Sequence, residues 1–335
     1  MVANLMDVAR RAGVSVATAS RVLSGSGYPV SEETRRRVEA SASELHYIPN
    51  AQAQGLLRGN PRAVGVVVGD VGDPYFSEMI AGLHTLATEL QYLVTVVNTR
   101  RSIQQELDAI RALRANRVGI SILAGSGLIQ PEYSASMTRA LSAAIDAGEA
   151  VVTIGRHTLG IDVAGVSVDN IEAGRLLGDH LRDLGHRHVA VLTALADLTS
   201  VLDRVEGLRQ SLGDGLVVRE VGGTRDGGWN AMEPLLAAHP NLTAVVGTAD
   251  QMAMGALAWL RSRGISVPGE ISVAGMNDIW VAKDMTPPLT TVRLPLAEMG
   301  ATALRLGIGA LDGRVTHQQL PVELVVRGST GVART

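Results

Sequence analysis

The sequence contains no cysteine, only one lysine and only one phenylalanine, and aromatic residues make up 3% of its 335 positions. The lack of cysteine excludes disulfide bonds, thiolate zinc sites and cysteine nucleophiles. No stretch approaches the roughly 18 consecutive apolar residues of a transmembrane helix, and the start, MVANLMDVARR, lacks the apolar core of a signal peptide. We therefore expect a cytoplasmic protein without a membrane partner.

The sequence motifs of common enzyme classes are also missing. There is no G-x-S-x-G nucleophile elbow, no H-E-x-x-H zinc motif, no phosphate-binding P-loop and no G-x-G-x-x-G pattern after a strand. His186 and His188 are close in the sequence, but no third metal ligand lies near them. The prediction is a protein that is not an enzyme, has no catalytic residues and holds no metal or cofactor.

Net positive charge is confined to the beginning of the chain. The whole sequence has a net charge of −3, but residues 1–60 carry seven arginines against five acidic residues, and the remainder has a net charge of −5. Because phosphate groups attract a net positive segment, only the first 60 residues are expected to favour nucleic acid.

Residues 4–24 carry the pattern of two short helices joined by a tight turn. Asn4 can cap the first helix, Gly13 can adopt the backbone conformation of the corner, and Ser15 can cap the second helix. Each helix has an apolar face, formed by Val8, Ala9 and Ala12 and then by Ala19, Val22 and Leu23. The outward face of the second helix carries Ala17, Ser20, Arg21 and Ser24. This pattern predicts a helix-turn-helix whose second helix enters the DNA major groove, with a surface helical hairpin as the alternative.

A third helix is predicted over 31–45, and YIPNAQAQGLLRG follows it over 47–59. At this point the sequence resembles the LacI/GalR family of bacterial transcription regulators. The resemblance rests on D-V-A-x-x-A-G-V-S-x-x-T-x-S-R-V-L, V-S-E-E-T-R-x-x-V and L-x-Y-x-P-N. It continues over nearly the whole chain, in the expected order, through GVSVDN (165–170), LGHRHVAVL (184–192), RVEGLRQSL (204–212), ADQMAMGAL (249–257), VPGEISVAGMND (267–278) and PPLTTVR (287–293).

The resemblance implies that the first 60 residues bind double-stranded operator DNA. The residues expected at the DNA are Leu5, Ser15, Val16, Ala17, Thr18, Ser20, Arg21, Asn50, Ala53, Gln54 and Leu56. Arg21 is the only long donor on the outward face of its helix, and arginine pairs bidentately with guanine. A hinge helix over 50–58 is expected to fold only on the operator, because a stable isolated helix needs roughly 12–15 residues. Leu56 then enters the minor groove and bends the duplex.

Beyond residue 60, apolar runs alternate with amphipathic helices. The predicted strands are 63–69, 93–98, 118–123, 150–154, 189–193, 217–220, 244–247 and 271–276. The predicted helices are 75–90, 103–115, 133–147, 171–184, 201–212, 228–238, 250–263 and 296–311. Such alternation is typical of parallel sheets covered by helices on both faces, and this number of units exceeds one sheet. The predicted fold class is therefore α/β, with two parallel-sheet lobes after a three-helix head.

The resemblance further implies that the lobes are of the periplasmic-binding-protein type and that three crossovers link them, near 158–162, 289–293 and 318–321. We expect a DNA-binding head with its hinge helix over 1–60. The first lobe is expected over 61–159 and 292–318, and the second over 160–291 and 319–335.

Ligands of open parallel sheets bind outside the carboxyl ends of the strands, on the loops that follow. With the resemblance, this rule selects nine ligand-binding candidates: Asp73, Tyr75, Phe76, Arg156, Asn170, Arg204, Asp250, Asn277 and Arg293. Four of them have structural alternatives. These are Phe76 as a contact between its helix and the sheet, Asp250 as a helix cap, Arg204 as a surface residue, and Arg293 as a partner contact.

The sequence as a whole predicts an effector-responsive repressor that binds a near-palindromic operator as a homodimer. Three candidate arginines among few acidic residues favour a sugar acid or sugar phosphate as the small-molecule effector, within a wider class of sugars and sugar derivatives. A nucleoside or purine is the less favoured ligand. Two alternatives belong to other classes: an exported solute-binding protein, which needs a signal peptide and has no use for residues 1–60, and an α/β enzyme without a recognisable motif.

Overall fold

The structure, a computed structural model, describes residues 3–24, 29–48, 62–213 and 215–334. Its contacts divide the chain into two units, Met1–Arg62 and Ala63–Thr335. The expected hinge helix over 50–58 lies outside the described residues, and so do its four predicted DNA contacts, Asn50, Ala53, Gln54 and Leu56.

The described part of the first unit, which we call the head, consists of three helices. They are α1 (Leu5–Ala12), α2 (Val16–Leu23) and α3 (Glu32–Glu44). As predicted, the Asn4 side chain accepts from two N–H groups of α1, and the Ser15 hydroxyl accepts from the N–H of Thr18. Gly13 ends α1 with a φ of 65°, the left-handed conformation that turns the chain toward α2. The predicted helix-turn-helix is therefore confirmed, around a core of Val8, Ala9, Ala12, Ala19, Val22, Val38 and Ala42.

The first lobe of the second unit is built on a sheet of six parallel strands. Its strands are β1 (Ala63–Val68), β2 (Leu93–Asn98), β3 (Ile120–Ala124), β4 (Ala150–Ile154), β5 (Ala164–Val168) and β11 (His317–Leu320). Their spatial order is β11-β5-β4-β3-β1-β2. Its helices are α4 (Pro74–Glu89), α5 (Ile103–Ala115), α6 (Pro131–Ile145) and α11 (Leu296–Leu311). The strands β1, β3 and β4 are almost wholly buried, as expected for central strands covered on both faces.

The second lobe repeats this architecture. Its strands are β6 (Val189–Thr193), β7 (Val217–Glu220), β8 (Ala244–Gly247), β9 (Ser272–Asn277), β10 (Thr290–Arg293) and β12 (Glu323–Val325). They lie in the order β12-β10-β9-β8-β6-β7, and only β12 is antiparallel to its neighbour. Its helices are α7 (Asn170–Asp183), α8 (Thr199–Leu212), α9 (Arg225–Ala238) and α10 (Asp250–Ser262), with a 3₁₀ helix over Trp280–Asp284.

All eight helices predicted beyond residue 60 are present within three residues of their predicted bounds. Helical periodicity locates them reliably because an apolar stripe over 13 to 16 residues is a long signal. No helix among the described residues has both the length and the apolar character needed to cross a membrane.

The chain passes between the lobes three times: from β5 to α7, from β10 to α11, and from β11 to β12. The first passage corrects the crossover expected near 158–162, because Ala164 pairs with Val152 of β4 and thus places β5 in the first lobe. Similarly, Val292 pairs with Met276 of β9, so residues 292–293 belong to the second lobe. The sequence analysis does not predict β5, β10, β11 and β12, which are three to five residues long and are defined by their pairing with distant strands.

Glycines let two helices of the first lobe come into backbone contact. A Cβ atom at Gly300 of α11 would lie 1.9 Å from the carbonyl oxygen of Met79, and one at Gly82 of α4 would lie 1.9 Å from that of Ala297. Backbone atoms at this distance cannot move aside without separating the helices, so the crossing of α4 and α11 requires glycine at both positions.

We expect Gly300→Ala to lower the free energy of unfolding by roughly 2–3 kcal/mol, because the added methyl group forces the two helices apart. Gly309→Ala, in the same helix, is the matched control: the nearest atom to its Cβ position is 3.9 Å away. It should raise stability by roughly 0.5–1 kcal/mol through the lower entropy of the unfolded chain. Urea unfolding followed by circular dichroism measures both, and equal midpoints for the two variants would contradict the assignment.

Candidate effector site and nucleic-acid interface

Loops at the carboxyl ends of both sheets meet at the junction between the lobes. The loop after β3 pairs with the loop after β6: the N–H of Ile129 donates to the carbonyl of Asp197, and the N–H of Thr199 donates to the carbonyl of Gly127, each at 3.0 Å. Leu128 and Leu198 form an antiparallel bridge in the same place. Backbone hydrogen bonds therefore join the two lobes at one side of the cleft between them.

Arg156 follows β4 and reinforces this junction. Its guanidinium group donates to both carboxylate oxygens of Asp203, at 3.1 and 2.6 Å, and its carbonyl accepts from the Thr199 hydroxyl at 2.7 Å. Both Asp203 and Thr199 belong to α8 of the second lobe. Arg156 thus lies at the cleft as predicted, but its fork already binds a carboxylate, and an effector would have to compete with Asp203 for it.

The aromatic pair after β1 lies at the start of α4. The Asp73 carboxylate accepts from the N–H of Tyr75 at 3.0 Å, so this predicted ligand contact caps the helix. Tyr75 and Phe76 pack edge to face with ring centres 5.0 Å apart. Phe76 is only 1% exposed and packs in the core, which favours the structural explanation for its place in the sequence. The partly buried Tyr75 is then the aromatic residue that a ligand can reach.

Arg204 is the buried centre of the second lobe's part of the site. It is 5% exposed, which rules out an ordinary surface arginine. Its Nε donates to the side-chain oxygen of Asn170 at 2.8 Å, and Nη1 donates to the carbonyl of Thr248. Burial lowers the pKa of Arg204, and the pKa is raised in turn by Tyr75, Asp250 and Asp203, so Arg204 interacts electrostatically with Tyr75 of the other lobe. The structure therefore brings together the two candidates Arg204 and Asn170, while their contact with a ligand stays a prediction.

Two buried polar atoms near the ends of β8 and β9 have no hydrogen-bond partner among the described residues. They are Oδ1 of Asn277, which is 4% exposed, and Oγ1 of Thr248, which is 2% exposed. Leaving such an atom unpaired costs about 1–3 kcal/mol, so a polar ligand gains by pairing with it. Asn277 also has a φ of 124°, a conformation rare outside glycine, which is typical of functional sites.

The structural alternative for Asp250, a cap of α10, is wrong. Ala249 occupies the N-cap position, and the Asp250 carboxylate accepts instead from the N–H of Ile279 at 2.9 Å and from the Thr291 hydroxyl at 2.6 Å. It is completely buried, and burial raises its pKa to about 6. Its visible role is to fasten the loop after β9 to β10, so a direct ligand contact stays a prediction.

Arg293 lies at the β10–β12 edge of the second sheet. It pairs with Asp278 at 2.8 Å and with Glu323 at 2.9 Å, and Arg327 binds the other oxygen of Asp278 at 2.6 Å. The described contacts do not bring Arg293 to Arg204. Its inclusion in the ligand set therefore has no support from the geometry.

Sequence reasoning missed Arg101, Thr248 and Asp203. Arg101 follows β2, and its guanidinium carbon lies 5.5 Å from the ring centre of Phe76. The rule that selected the other candidates, applied to the loop after β2, would have found it. Thr248 acts through its carbonyl and Asp203 through an ion pair with Arg156, and no local sequence signal marks either contact.

A groove of about 710 Å³ opens beside Arg156 along β5 and β11.

In the head, α2 has an exposed face suited to the proposed DNA contact. Its exposed residues include Val16, Ala17 and Arg21. The hydroxyl groups of Ser15 and Thr18 lie 2.8 Å apart and close the start of the helix, Ser20 is half-buried, and Leu5 packs partly against the head's core. The DNA contacts of these seven residues stay predictions.

The buried carboxyl group gives a prediction about pH. The pKa of Asp250 rises from 3.8 to about 6 on folding, so between these values the folded state holds a proton that the unfolded state releases. Stability from this group therefore falls as the pH rises through that window. Relative to Asp250→Asn, which cannot ionise, the parent should lose on the order of 2–3 kcal/mol between pH of about 4 and 7. Urea unfolding at a series of pH values checks this, and a constant difference between the proteins would contradict it.

Two parts of the chain match known families. Residues 4–50 match the family described as bacterial regulatory proteins, lacI family, and residues 178–330 match the periplasmic binding protein-like domain. The HTH-type transcriptional regulator GalS of Salmonella typhimurium is 36% identical over 327 residues, which cover 95% of this chain and 94% of GalS. These matches favour a regulator over the two alternatives, a solute-binding protein and an enzyme.

Solved structures agree with the predicted fold class. The lac repressor dimer bound to operator and the anti-inducer ONPF is similar with a TM-score of 0.86 at 27% identity, covering 99% of this chain and 100% of that one. The transcriptional regulator CelR in its cellobiose complex is similar with a TM-score of 0.71 at 28% identity, covering 98% and 99%. Since the identity to GalS extends over nearly the full length of both proteins, this chain belongs to the LacI family of DNA-binding transcriptional regulators.

Proposed function

We propose that this protein is a repressor that binds a near-palindromic operator as a homodimer, and that a sugar-derived effector in the interlobe cleft changes its affinity for the operator. The observation that carries the proposal is the buried Arg204, which is held by Asn170 and interacts with Tyr75 of the opposite lobe. The comparisons support it: the lac repressor was solved as an operator-bound dimer, and CelR was solved with cellobiose.

The polar groups of the site suit a ligand with several hydroxyl groups. Arg204 supplies donors, whereas the unpaired oxygens of Asn277 and Thr248 supply acceptors. A nucleobase gains most from an open aromatic face on which to stack. The burial of Phe76 removes one such face, so a sugar or sugar derivative fits the site better than a nucleoside.

The coupling between effector and operator follows from where the ligand binds. A ligand that contacts Tyr75 in the first lobe and Arg204 in the second favours one relative position of the lobes over others. If the ligand changes the affinity for the operator by some factor, the operator must change the affinity for the ligand by the same factor. Effector binding measured with and without operator therefore reports the coupling directly.

For the DNA side of the proposal, we assign base contacts to the exposed residues of α2 and phosphate contacts to its more buried hydroxyl groups. Val16, Ala17 and Arg21 then face base edges, and Thr18 and Ser20 lie at or near phosphates. An arginine that binds guanine through two hydrogen bonds contributes about 1–3 kcal/mol of discrimination against other bases.

The effector half is tested with Arg204→Met, which keeps most of the side chain's volume and removes its donors. A buried hydrogen bond to a charged group contributes roughly 1.5–3 kcal/mol, so effector affinity should fall about ten- to a hundredfold while operator affinity is unchanged. The exposed Arg209 lies on the same helix, and Arg209→Met is the control that should alter neither. Titration of the operator complex with neutral sugars, sugar acids and sugar phosphates measures the response. A parent-like response of Arg204→Met would remove Arg204 from the site.

The DNA half is tested with Arg21→Ala. This variant should lose most of its preference for operator over unrelated DNA, by about ten- to a hundredfold, and keep weak binding that depends on salt. Arg37→Ala, on the exposed side of α3, removes the same charge from the head and should keep the preference. Competition binding with operator and random duplexes separates the two outcomes. Full selectivity in Arg21→Ala would show that α2 does not read the bases.

A further inference from the structure

The loop between β2 and α5 holds two consecutive arginines in an unfavourable backbone conformation. Arg100 has a φ of 49° and Arg101 a φ of 57°. Side chains with a Cβ atom seldom adopt this left-handed region, and two in succession are rarer still. The two residues differ in what their side chains do: Arg100 is exposed, whereas Arg101 is partly buried at the carboxyl end of the sheet.

Arg101 lies over the aromatic ring that begins α4. Its guanidinium carbon is 5.5 Å from the centre of the Phe76 ring, and its Cγ lies 3.0 Å from the position that a Cβ atom of Gly69 would occupy. The lack of a side chain at Gly69 thus leaves room for Arg101. A cation–π contact with the ring does not use the N–H groups of the guanidinium, and no hydrogen bond of the Arg101 side chain is present among the described residues, so these donors can bind an acceptor.

No carboxylate neutralises Arg101 within the part of the chain that the structure describes. Glu106, whose pKa is raised by burial and lowered by the charge of Arg101, is hydrogen-bonded to the Tyr133 hydroxyl at 3.0 Å and forms no ion pair with Arg101. Arg156 has Asp203 at 2.6 Å, and Arg293 has Asp278 and Glu323. The buried Arg204 shares the property of Arg101, since its hydrogen-bond acceptors are the neutral Asn170 and the Thr248 carbonyl.

These two arginines belong to opposite lobes and act on the same side chain. The positive charges of Arg204 and Arg101 both lower the pKa of Tyr75, against the raising effect of burial and of Asp73. The guanidinium carbon of Arg101 is 5.5 Å from the centre of the Phe76 ring, and that ring centre is 5.0 Å from the ring centre of Tyr75. A negative group beside Tyr75 would therefore lie close to Arg101 and would also be attracted by Arg204. Arg204 is buried and Arg101 is partly buried, and neither forms an ion pair among the described residues, although Asp250 and Asp203 act on Arg204 at longer range. A bound anion would therefore lower the cost of burying these two charges.

We propose that Arg101 is a specificity-determining residue, and that it selects effectors with an anionic group, a carboxylate or a phosphate, which binds between Arg101 and Arg204. The inference rests on the proposed function, because it concerns the same cleft. Arginine suits the role because its fork matches both carboxylate and phosphate oxygens, and because the guanidinium group of Arg101 lies over the buried Phe76 ring, which limits its movement. Arg156 is bound to Asp203 and serves the lobe junction instead.

The test compares sugars that differ only in charge. Glucose, glucuronate and glucose 6-phosphate form one set, and galactose, galacturonate and galactose 6-phosphate form another, each titrated calorimetrically into the full chain. In one set or both, an acid or a phosphate should bind the parent at least about tenfold more tightly than the neutral sugar. Comparing the affinity of the sugar acid with that of the sugar phosphate in each set shows which anion is recognised. Arg101→Gln should reduce that affinity to the level of the neutral sugar, and Arg101→Lys should recover part of it.

Arg100→Gln is the matched control, since it removes the neighbouring charge from the same left-handed loop and should leave the preference unchanged. Parent-like binding of the anion by Arg101→Gln would overturn the inference while leaving the proposed function intact, and so would tightest binding of a neutral sugar. An equal loss in Arg100→Gln would also overturn it, because general charge rather than Arg101 would then be responsible. If no sugar of either set bound the parent or changed its operator affinity, the sugar-effector proposal would fail, and this inference with it.

Discussion

A buried guanidinium group sets the architecture of the candidate site in the second lobe. Arg204 can be buried only where acceptors meet it, and these come from the start of α7, at Asn170, and from the end of β8, at Thr248. Asn170 comes close enough because α7 and α8 touch through glycines: a Cβ atom at Gly174 would lie 2.2 Å from the carbonyl oxygen of Arg204. The packing of the two helices and the position of the functional side chain are therefore one constraint. A larger residue at the helix crossing would break the hydrogen bond that holds the arginine.

The same helix carries the contacts that join the lobes. Within its first turns, α8 presents Thr199 to the backbone of the first lobe, Asp203 to Arg156, and Arg204 to the interior. A ligand that binds Arg204 would thus act on an element that also holds the lobe junction. The proposed coupling between the effector and the lobe position would therefore be transmitted by a single helix, α8, which makes both sets of contacts, and not by a chain of distant residues.

Local chemistry explains which parts of the structure the sequence could predict. The caps at Asn4 and Ser15 and the turn at Gly13 depend on residues within three positions of each other, and all were predicted. The long helices of the lobes follow from their periodicity. The short strand β5 does not, because its pairing with β4 across an irregular loop is what defines it. Local rules offer Asp250 a helix cap as the alternative to a ligand contact, but its carboxylate accepts hydrogen bonds from partners 29 and 41 residues away in the sequence. Contacts of that kind leave no trace in a local pattern.

Charge in the cleft shows why partners matter more than residue counts. The three candidate arginines, Arg156, Arg204 and Arg293, favour an acidic ligand when they are only counted. In the folded chain, however, Arg156 and Arg293 are paired with carboxylates. Of these three, only Arg204 forms no ion pair with a carboxylate among the described residues. Arg101, in the loop after β2, shares this property and is not among the residues predicted from the sequence. Both lack an ion pair within the described residues, and both act on Tyr75. The case for an anionic effector thus survives with a different set of arginines. It now rests on two cations that form no ion pair among the described residues, which is a property of the fold and not of the composition.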